Sequence, residues 1–426
     1  MIAGMYTLSA ALIWGVNTLF LLDAGLDIFE VFLANAAFTA GMFVFEIPTG
    51  VLADTAGRRA SFLLSVAVLT ATTLGYLAIP RVGGGLTAFV VVSVLMGLGF
   101  TFYSGAIEAW LVDALRASKF QGDLDSVFAR GSMVSGAAML LGTLSGGVLG
   151  TLRLDFPYWA RAAMLFCVFW VAWFRMHDIG FVPRGVGWRE LPSEMRSVAD
   201  ASIRYGWNTG GVRLLMFFGF IQVGFMSWGY YAWQPYFLGL LGRDAVWVAG
   251  LVAAGLAMSA IVGNALVEWL TRFCGRRTTL MLWAAGVQAA AAVGVGLAGS
   301  FWVAVAFFMV VAGAMGVSGP VKQAYLHQSI PSKHRASVTS FESMAGSAGG
   351  IGLQGGLGYI SRVRSIGEGY ILGGGFTLIA LPVLLRLRAR RERADRYAGA
   401  RAGIQGPCAA QGIPELAMIE SRRSAA

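Results

Sequence analysis

Charged residues are scarce in this chain. Asp, Glu, Lys and Arg make up 13% of its 426 residues, about half of the ~25% found in soluble domains. That leaves too few polar positions to coat a large water-soluble helical core. Histidine and cysteine are scarcer still, with three of each. His177, His327 and His334 show no zinc spacing, and Cys167, Cys274 and Cys408 show no paired spacing. Neither a metal centre nor a disulfide framework is expected. The sequence holds no P-loop and no Gly-x-Ser-x-Gly elbow. An ATP-driven pump within this chain is therefore not expected, and no nucleophile–base pair marks an enzyme. One dinucleotide-like match, Gly294-Val-Gly296-Leu-Ala-Gly299, lies inside an apolar run, where small residues serve helix packing. No cofactor is expected.

Apolar residues dominate what remains, at 57% of the chain with a mean hydropathy of +0.68. Twelve runs stand out, at 5–22, 31–53, 60–79, 86–111, 129–150, 157–175, 212–238, 245–269, 279–299, 301–326, 337–360 and 369–387. Each can cross about 30 Å of hydrocarbon as a helix. Met1 to Phe20 lacks a basic leading region, so it reads as the first helix rather than a cleavable signal. The net charge of +10 is distributed by side. With the N-terminus inside, 25 of the 32 basic residues fall in inner loops or the tail and five in outer loops. Arg161 and Lys322 lie within runs. That asymmetry is the positive-inside pattern, and an even helix count places both termini in the cytoplasm. The expectation is a multi-pass protein of the cell inner (cytoplasmic) membrane, partnered by the lipid bilayer, monomeric, and not a nucleic-acid binder.

Thirteen residues carry the densest signal. Gly50-Val-Leu-Ala-Asp54-Thr-Ala-Gly57-Arg58-Arg59-Ala-Ser-Phe62 form a short polar hairpin between two apolar runs. A weaker copy, Arg272-Phe-Cys-Gly275-Arg276-Arg277, follows a later run. Ser104-Gly105 with Ala109-Trp110-Leu111 resembles Ser318-Gly319 with Ala324-Tyr325-Leu326, and Gly146-Gly147 resembles Gly355-Gly356. The offsets stay between 209 and 218 residues. The expected fold is all-α and integral to the membrane, with twelve transmembrane helices in two pseudo-symmetric six-helix bundles. The N-terminal bundle takes 1–176, a cytoplasmic linker with a surface helix takes 177–211, and the C-terminal bundle takes 212–390. A basic tail, 391–426, is expected to be disordered. Parallel repeats that hold substrate between them near the midplane are an arrangement for alternating access.

These motifs resemble the major facilitator superfamily across the chain to about Arg391. The family's hairpin, G-x-L-a-D-r-x-G-r-r, is matched by Gly50, Leu52, Asp54, Gly57, Arg58 and Arg59. Thr55 departs from it, because the family usually has a basic residue there. One partner in the family's cytoplasmic charge network is thus missing or supplied elsewhere. Glu46-Ile-Pro48-Thr-Gly50 and Glu108-Ala-Trp110-Leu-Val-Asp113 are similar to a bacterial branch rich in drug exporters. The family's antiporter signature in the fifth helix contains a glycine–proline pair. Gly142-Thr-Leu-Ser-Gly146-Gly147-Val-Leu-Gly150 supplies the glycines without the proline, which weakens export by exchange.

The gating motif is read as Gly50, Asp54, Gly57, Arg58 and Arg59. Its glycines allow close approach and a tight turn, and Asp54 can cap a helix N-terminus. The arginines can form a breakable latch with a nearby carboxylate, or serve only as a topology anchor. Charges at the centre of a membrane cost about 2.5–3.5 kcal/mol and so mark function. Glu46 and Glu108 are the first proton-coupling candidates, with Asp113 and Glu342 behind them. A packing role for Glu46 and a helix-end role for Glu108 are the plainer alternatives. Arg161 and Lys322 could each balance a carboxylate or an anionic substrate, or snorkel to an interface. Substrate-pocket candidates are Asn17, Asn35, Gln222, Trp228, Tyr231 and Lys322. Trp233 and Tyr236 suit an aromatic belt at the membrane surface instead.

The functional expectation is a secondary active transporter, driven by protons, that moves a small organic molecule, with drug or metabolite efflux as the first direction. Uptake by proton symport is the transporter alternative. A non-transporting membrane sensor or scaffold is the alternative from another class.

Overall fold

Helix boundaries follow local chemistry. The computed structural model describes residues 1–104, 106–119, 124–181, 203–242, 246–330 and 335–397, with Ser193, Arg196 and Asp200. The expected linker helix and the tail beyond 397 lie largely outside the described residues.

The chain begins with α1 (Ile2–Trp14) and α2 (Asn17–Asp23), one span bent by 48°. Next is α3 (Ile28–Ala56), opened by a reciprocal capping box. Asp27 accepts from the Glu30 amide while Glu30 accepts from the Asp27 amide, each at 2.9 Å. Then come α4 (Arg58–Ala78), α5 (Leu86–Ser104), α6 (Ile107–Ala117), α7 (Leu124–Leu152) and α8 (Phe156–Arg175). The second half holds α9 (Gly210–Leu241), α10 (Val246–Thr271), α11 (Arg277–Leu297), α12 (Phe301–Ser329), α13 (Arg335–Val363), α14 (Ile366–Thr377) and α15 (Ala380–Ala389). Strands are absent among the described residues apart from one isolated bridge between Arg276 and Arg396.

Ten helical stretches among the described residues are long and apolar enough to cross a membrane, and eleven with the bent first pair. The remaining crossing element is α13. Its 29 residues would reach about 43 Å at 1.5 Å per residue, but serines, glycines and Glu342 dilute its apolar content. The molecule is an all-helical, multi-pass membrane protein with twelve crossing elements.

These elements form two bundles. In the first, α1 packs on α7 and α8, α3 on α5, and α4 on α5 and α8. In the second, α9 packs on α13, and α12 on α10 and α11. The bundles meet where α3 lies against α13 and α7 against α10, with α2 touching α9. Gly147 faces Gly250 across the second of these seams.

Candidate functional site

A cavity of about 630 Å³ lies between the bundles. Helix α3 contributes Phe38, Thr39 and Met42; α9 contributes Met226, Tyr230 and Tyr231; α12 contributes Lys322; and α13 contributes Thr339, Glu342 and Ser343. Lys322 Nζ donates to Glu342 Oε1 at 2.5 Å, with the two side chains 11% and 6% exposed. Two local features seat the pair. Pro320 lies inside α12 two residues before Lys322, where it removes one backbone donor. On α9, a Cβ at Gly219 would come 2.7 Å from Glu342 Oε1, so glycine there leaves room for the carboxylate.

A second chamber, about 250 Å³, shares Phe38, Met42, Tyr230 and Tyr231 with the first and extends into the N-terminal bundle. Asn17, Asn35 and Arg161 line it. Tyr158 donates to Asn17 Oδ1 at 2.7 Å, Asn17 donates to Asn35 Oδ1 at 3.0 Å, and Asn35 donates to the Val31 carbonyl at 2.9 Å. This relay ties α8, α2 and α3 together.

The far end of the cavity is fastened shut. The bend at Gly15–Val16 leaves backbone groups of the first span unpaired, and Gln234 of α9 meets two of them. It donates to the Trp14 carbonyl at 2.7 Å and accepts from the Thr18 amide at 3.0 Å. Thr18 Oγ1 donates to the Tyr231 carbonyl at 3.0 Å. Arg362 pairs with Asp27 at 3.4 Å, and Phe32 lies 5.9 Å from Trp228 between ring centres. Deeper along the same seam, Gln354 donates to Thr39 at 3.3 Å. The contacts from Asp27 to Thr18 sit towards one end of the molecule and close it.

At the opposite end, the polar hairpin turns at Gly57, whose φ of +109° belongs to glycine. The capping role expected of Asp54 falls to Asp178, just past α8. Asp178 Oδ1 accepts from the Arg59 amide at 2.8 Å. Asp54 instead grips Arg58 at 2.6 Å, with Asp113 of α6 at 3.9 Å from the same guanidinium. Arg59 donates to the Trp173 carbonyl at 2.8 Å and lies 5.0 Å from that indole ring. All these partners belong to the N-terminal bundle or to the chain just after it.

The weaker copy repeats the device. Asp395, after α15, accepts from the Thr278 amide at 2.8 Å and from the Thr278 hydroxyl at 3.0 Å. Arg277 donates to Gln328 at 3.0 Å and to the Ala394 carbonyl, with the Tyr397 ring 5.0 Å away. Burial pushes the Tyr397 phenol up to about 12, opposed by Arg277, so this hydroxyl stays neutral at physiological pH.

Of the residues expected at a proton-coupling site, only Glu342 lines either chamber. Glu46 is half-buried on α3, Glu108 sits at the start of α6, and Asp113 belongs to the hairpin cluster. Among the pocket candidates, Asn17, Asn35, Tyr231 and Lys322 line a chamber. Gln222 instead bonds Gln288 at 2.8 Å and Ser318 at 3.2 Å inside the C-terminal bundle. Trp228 is fully buried against Phe32 and Tyr370. Trp233 is buried as well, so it faces inward rather than joining a surface belt. Gly50 faces open space, and a Cβ added there would meet nothing within 4 Å beyond its own turn of helix among the described residues. Gln234, which joins α9 to the bend of the first span, is not singled out above for this contact; its signal is a glutamine beside Pro235 in an otherwise apolar run.

This two-bundle geometry has known counterparts. The family model described as Major Facilitator Superfamily matches residues 1–272 and 245–415. None of the curated proteins matches the sequence. Among solved structures, the nucleoside transporter NupG superimposes with a TM-score of 0.75 at 9% identity, covering 91% of this chain and 97% of that one. An auto-inhibited POT family peptide transporter gives 0.70 at 14% identity, with 92% and 96% covered. A D-xylose-proton symporter gives 0.65 at 14% identity, with 91% and 97% covered.

Proposed function

We propose that this chain, which belongs to the Major Facilitator Superfamily, is a proton-coupled secondary transporter that carries a small organic molecule across the cytoplasmic membrane by alternating access. The observation that carries this reading is the cavity lined by both bundles, fastened at the Asp27 end and holding an ion pair on its wall. The arginine-rich hairpin end is assigned to the cytoplasm on the positive-inside pattern, which makes this conformation inward-facing.

Glu342 is the proton carrier in this reading. Protonation removes the negative partner of Lys322 and leaves a bare cation facing the cavity. Buried charges demand a partner, so a proton and an electron-rich cargo favour each other's presence. Mutual support of this kind couples movement in one direction, which is symport and uptake. Efflux by exchange is the second reading, supported by the motifs around Glu46 and Glu108 that resemble drug exporters.

Purified protein in liposomes containing a pH-sensitive dye tests both. Adding a cargo from a compound panel should acidify the side the cargo enters under symport, and alkalinise it under exchange. Absence of any cargo-evoked proton flux across the panel would return the protein to a sensor or scaffold role.

A further inference from the structure

We propose that the cargo is an organic monoanion, a carboxylate on a compact aromatic or aliphatic body, and that Arg161 is the group that holds it. The inference rests on the transport reading above and adds the class of cargo and its anchor.

The two embedded cations are not equivalent. Lys322 has its counter-charge in Glu342 at 2.5 Å. Arg161 is 6% exposed on α8 and lines the smaller chamber. Among the described residues no carboxylate pairs with it, and its Nε is sealed from solvent without a hydrogen-bond acceptor. The ionisable groups around it are the phenols of Tyr6, Tyr76 and Tyr158. Two of those hydroxyls are already engaged, Tyr76 with Ser93 at 2.6 Å and Tyr158 with Asn17 at 2.7 Å. A phenol offers a dipole where a buried guanidinium needs a charge.

A carboxylate fits what is missing. Guanidinium presents paired donors in a plane that a carboxylate meets with two parallel hydrogen bonds. The remaining walls are apolar, with the rings of Trp14, Phe38, Phe100 and Tyr230 beside Leu69 and Met96, and suit a flat or apolar body. At about 250 Å³ the chamber lies below the usual range for drug-sized ligands, which keeps the cargo small. Arg161, Lys322 and Glu342 are the acidic and basic side chains on the walls of the two chambers among the described residues. With Lys322 paired to Glu342, Arg161 is the positive charge left without a counter-charge, and a carboxylate supplies one where a cationic compound does not.

The test uses the full-length protein in detergent, titrated with benzoate and with its uncharged counterpart benzamide and followed by calorimetry. Benzoate should bind at least tenfold more tightly than benzamide. Arg161→Gln should weaken benzoate at least tenfold and leave benzamide unchanged, while Arg161→Lys should retain part of the benzoate affinity. Should Arg161→Gln fail to fold, the wild-type ratio still decides, because equal binding of the two compounds, or binding of neither, overturns the assignment. Displacement of benzoate by equimolar chloride overturns the organic body. Liposome flux separates this inference from transport itself. Benzoate binding through Arg161 without any cargo movement supports the anion site and contradicts transport. Gradient-driven movement of benzamide but not of benzoate contradicts the anion site alone.

Discussion

In the N-terminal half, the carboxylate that caps the third crossing helix belongs to Asp178 and is exposed; in the C-terminal half it belongs to Asp395 and is 1% exposed. Each follows the last helix of its own bundle, and each meets the same need of unpaired amides at a helix start. The surroundings separate them. Asp395 is buried, and its neighbours Ala394 and Tyr397 are held by Arg277. On the N-terminal side, Asp54, Arg58 and Asp113 remain within reach of water, and Gly50 faces open space. A buried cap fixes a turn, whereas an open charge cluster can exchange partners. The pseudo-symmetric halves thus share a backbone solution, which the second half buries and the first leaves open to water.

The largest effect should come from the buried Lys322–Glu342 pair of the C-terminal half. Lys322→Met strands Glu342 in the interior and should destabilise the protein by about 3–5 kcal/mol, read by thermal unfolding in detergent. Pairing it with Glu342→Leu should recover most of that loss while gradient-driven transport stays absent. Recovery of transport in the double variant would remove the pair from the mechanism.

Gly50→Leu asks whether the open hairpin face must meet the other bundle. Folding should be unaffected in the conformation described, since the added side chain has space. Turnover should fall more than tenfold because the bulk blocks closure. Wild-type flux in this variant would mean that the face stays open throughout the cycle.

The two caps can be compared directly. Asp395→Asn should cost about 2 kcal/mol and Asp178→Asn about 1 kcal/mol, the difference reflecting burial. Equal losses would show that the burial of Asp395 adds nothing. The smallest stability change belongs to Asp54→Asn, a partly exposed pair worth under about 1 kcal/mol. Turnover should nonetheless drop in that variant, and unchanged turnover would reduce the hairpin to an anchor of topology.

Much of this architecture is legible in the sequence because membranes leave few options. Apolar runs of about 20 residues and one-sided arginines specify crossings, and Gly57-Arg58-Arg59 with Gly275-Arg276-Arg277 betrays the repeat. The site is less legible. Tyr6, Tyr76 and Tyr158 surround Arg161 from α1, α4 and α8, and no local pattern brings such separated positions together. Glu342 is joined to Lys322 although the two lie 20 positions apart on different helices, and its helix is the least apolar of the crossing elements because it lines the cavity. Asp395 lies in the basic stretch expected to be disordered, yet residues as far as Tyr397 pack on α11. Composition reports the average polarity of that stretch and misses one carboxylate with a specific amide to cap.

Proton coupling through the Lys322–Glu342 pair is decided by gradient-driven cargo accumulation in liposomes, compared between wild type and Glu342→Gln and measured alongside downhill exchange of the same cargo. Glutamine keeps the shape and hydrogen bonding of glutamate and removes the titrating proton. Accumulation under an imposed pH gradient should disappear in the variant while downhill exchange persists. Accumulation at the wild-type ratio in Glu342→Gln would contradict coupling through this pair.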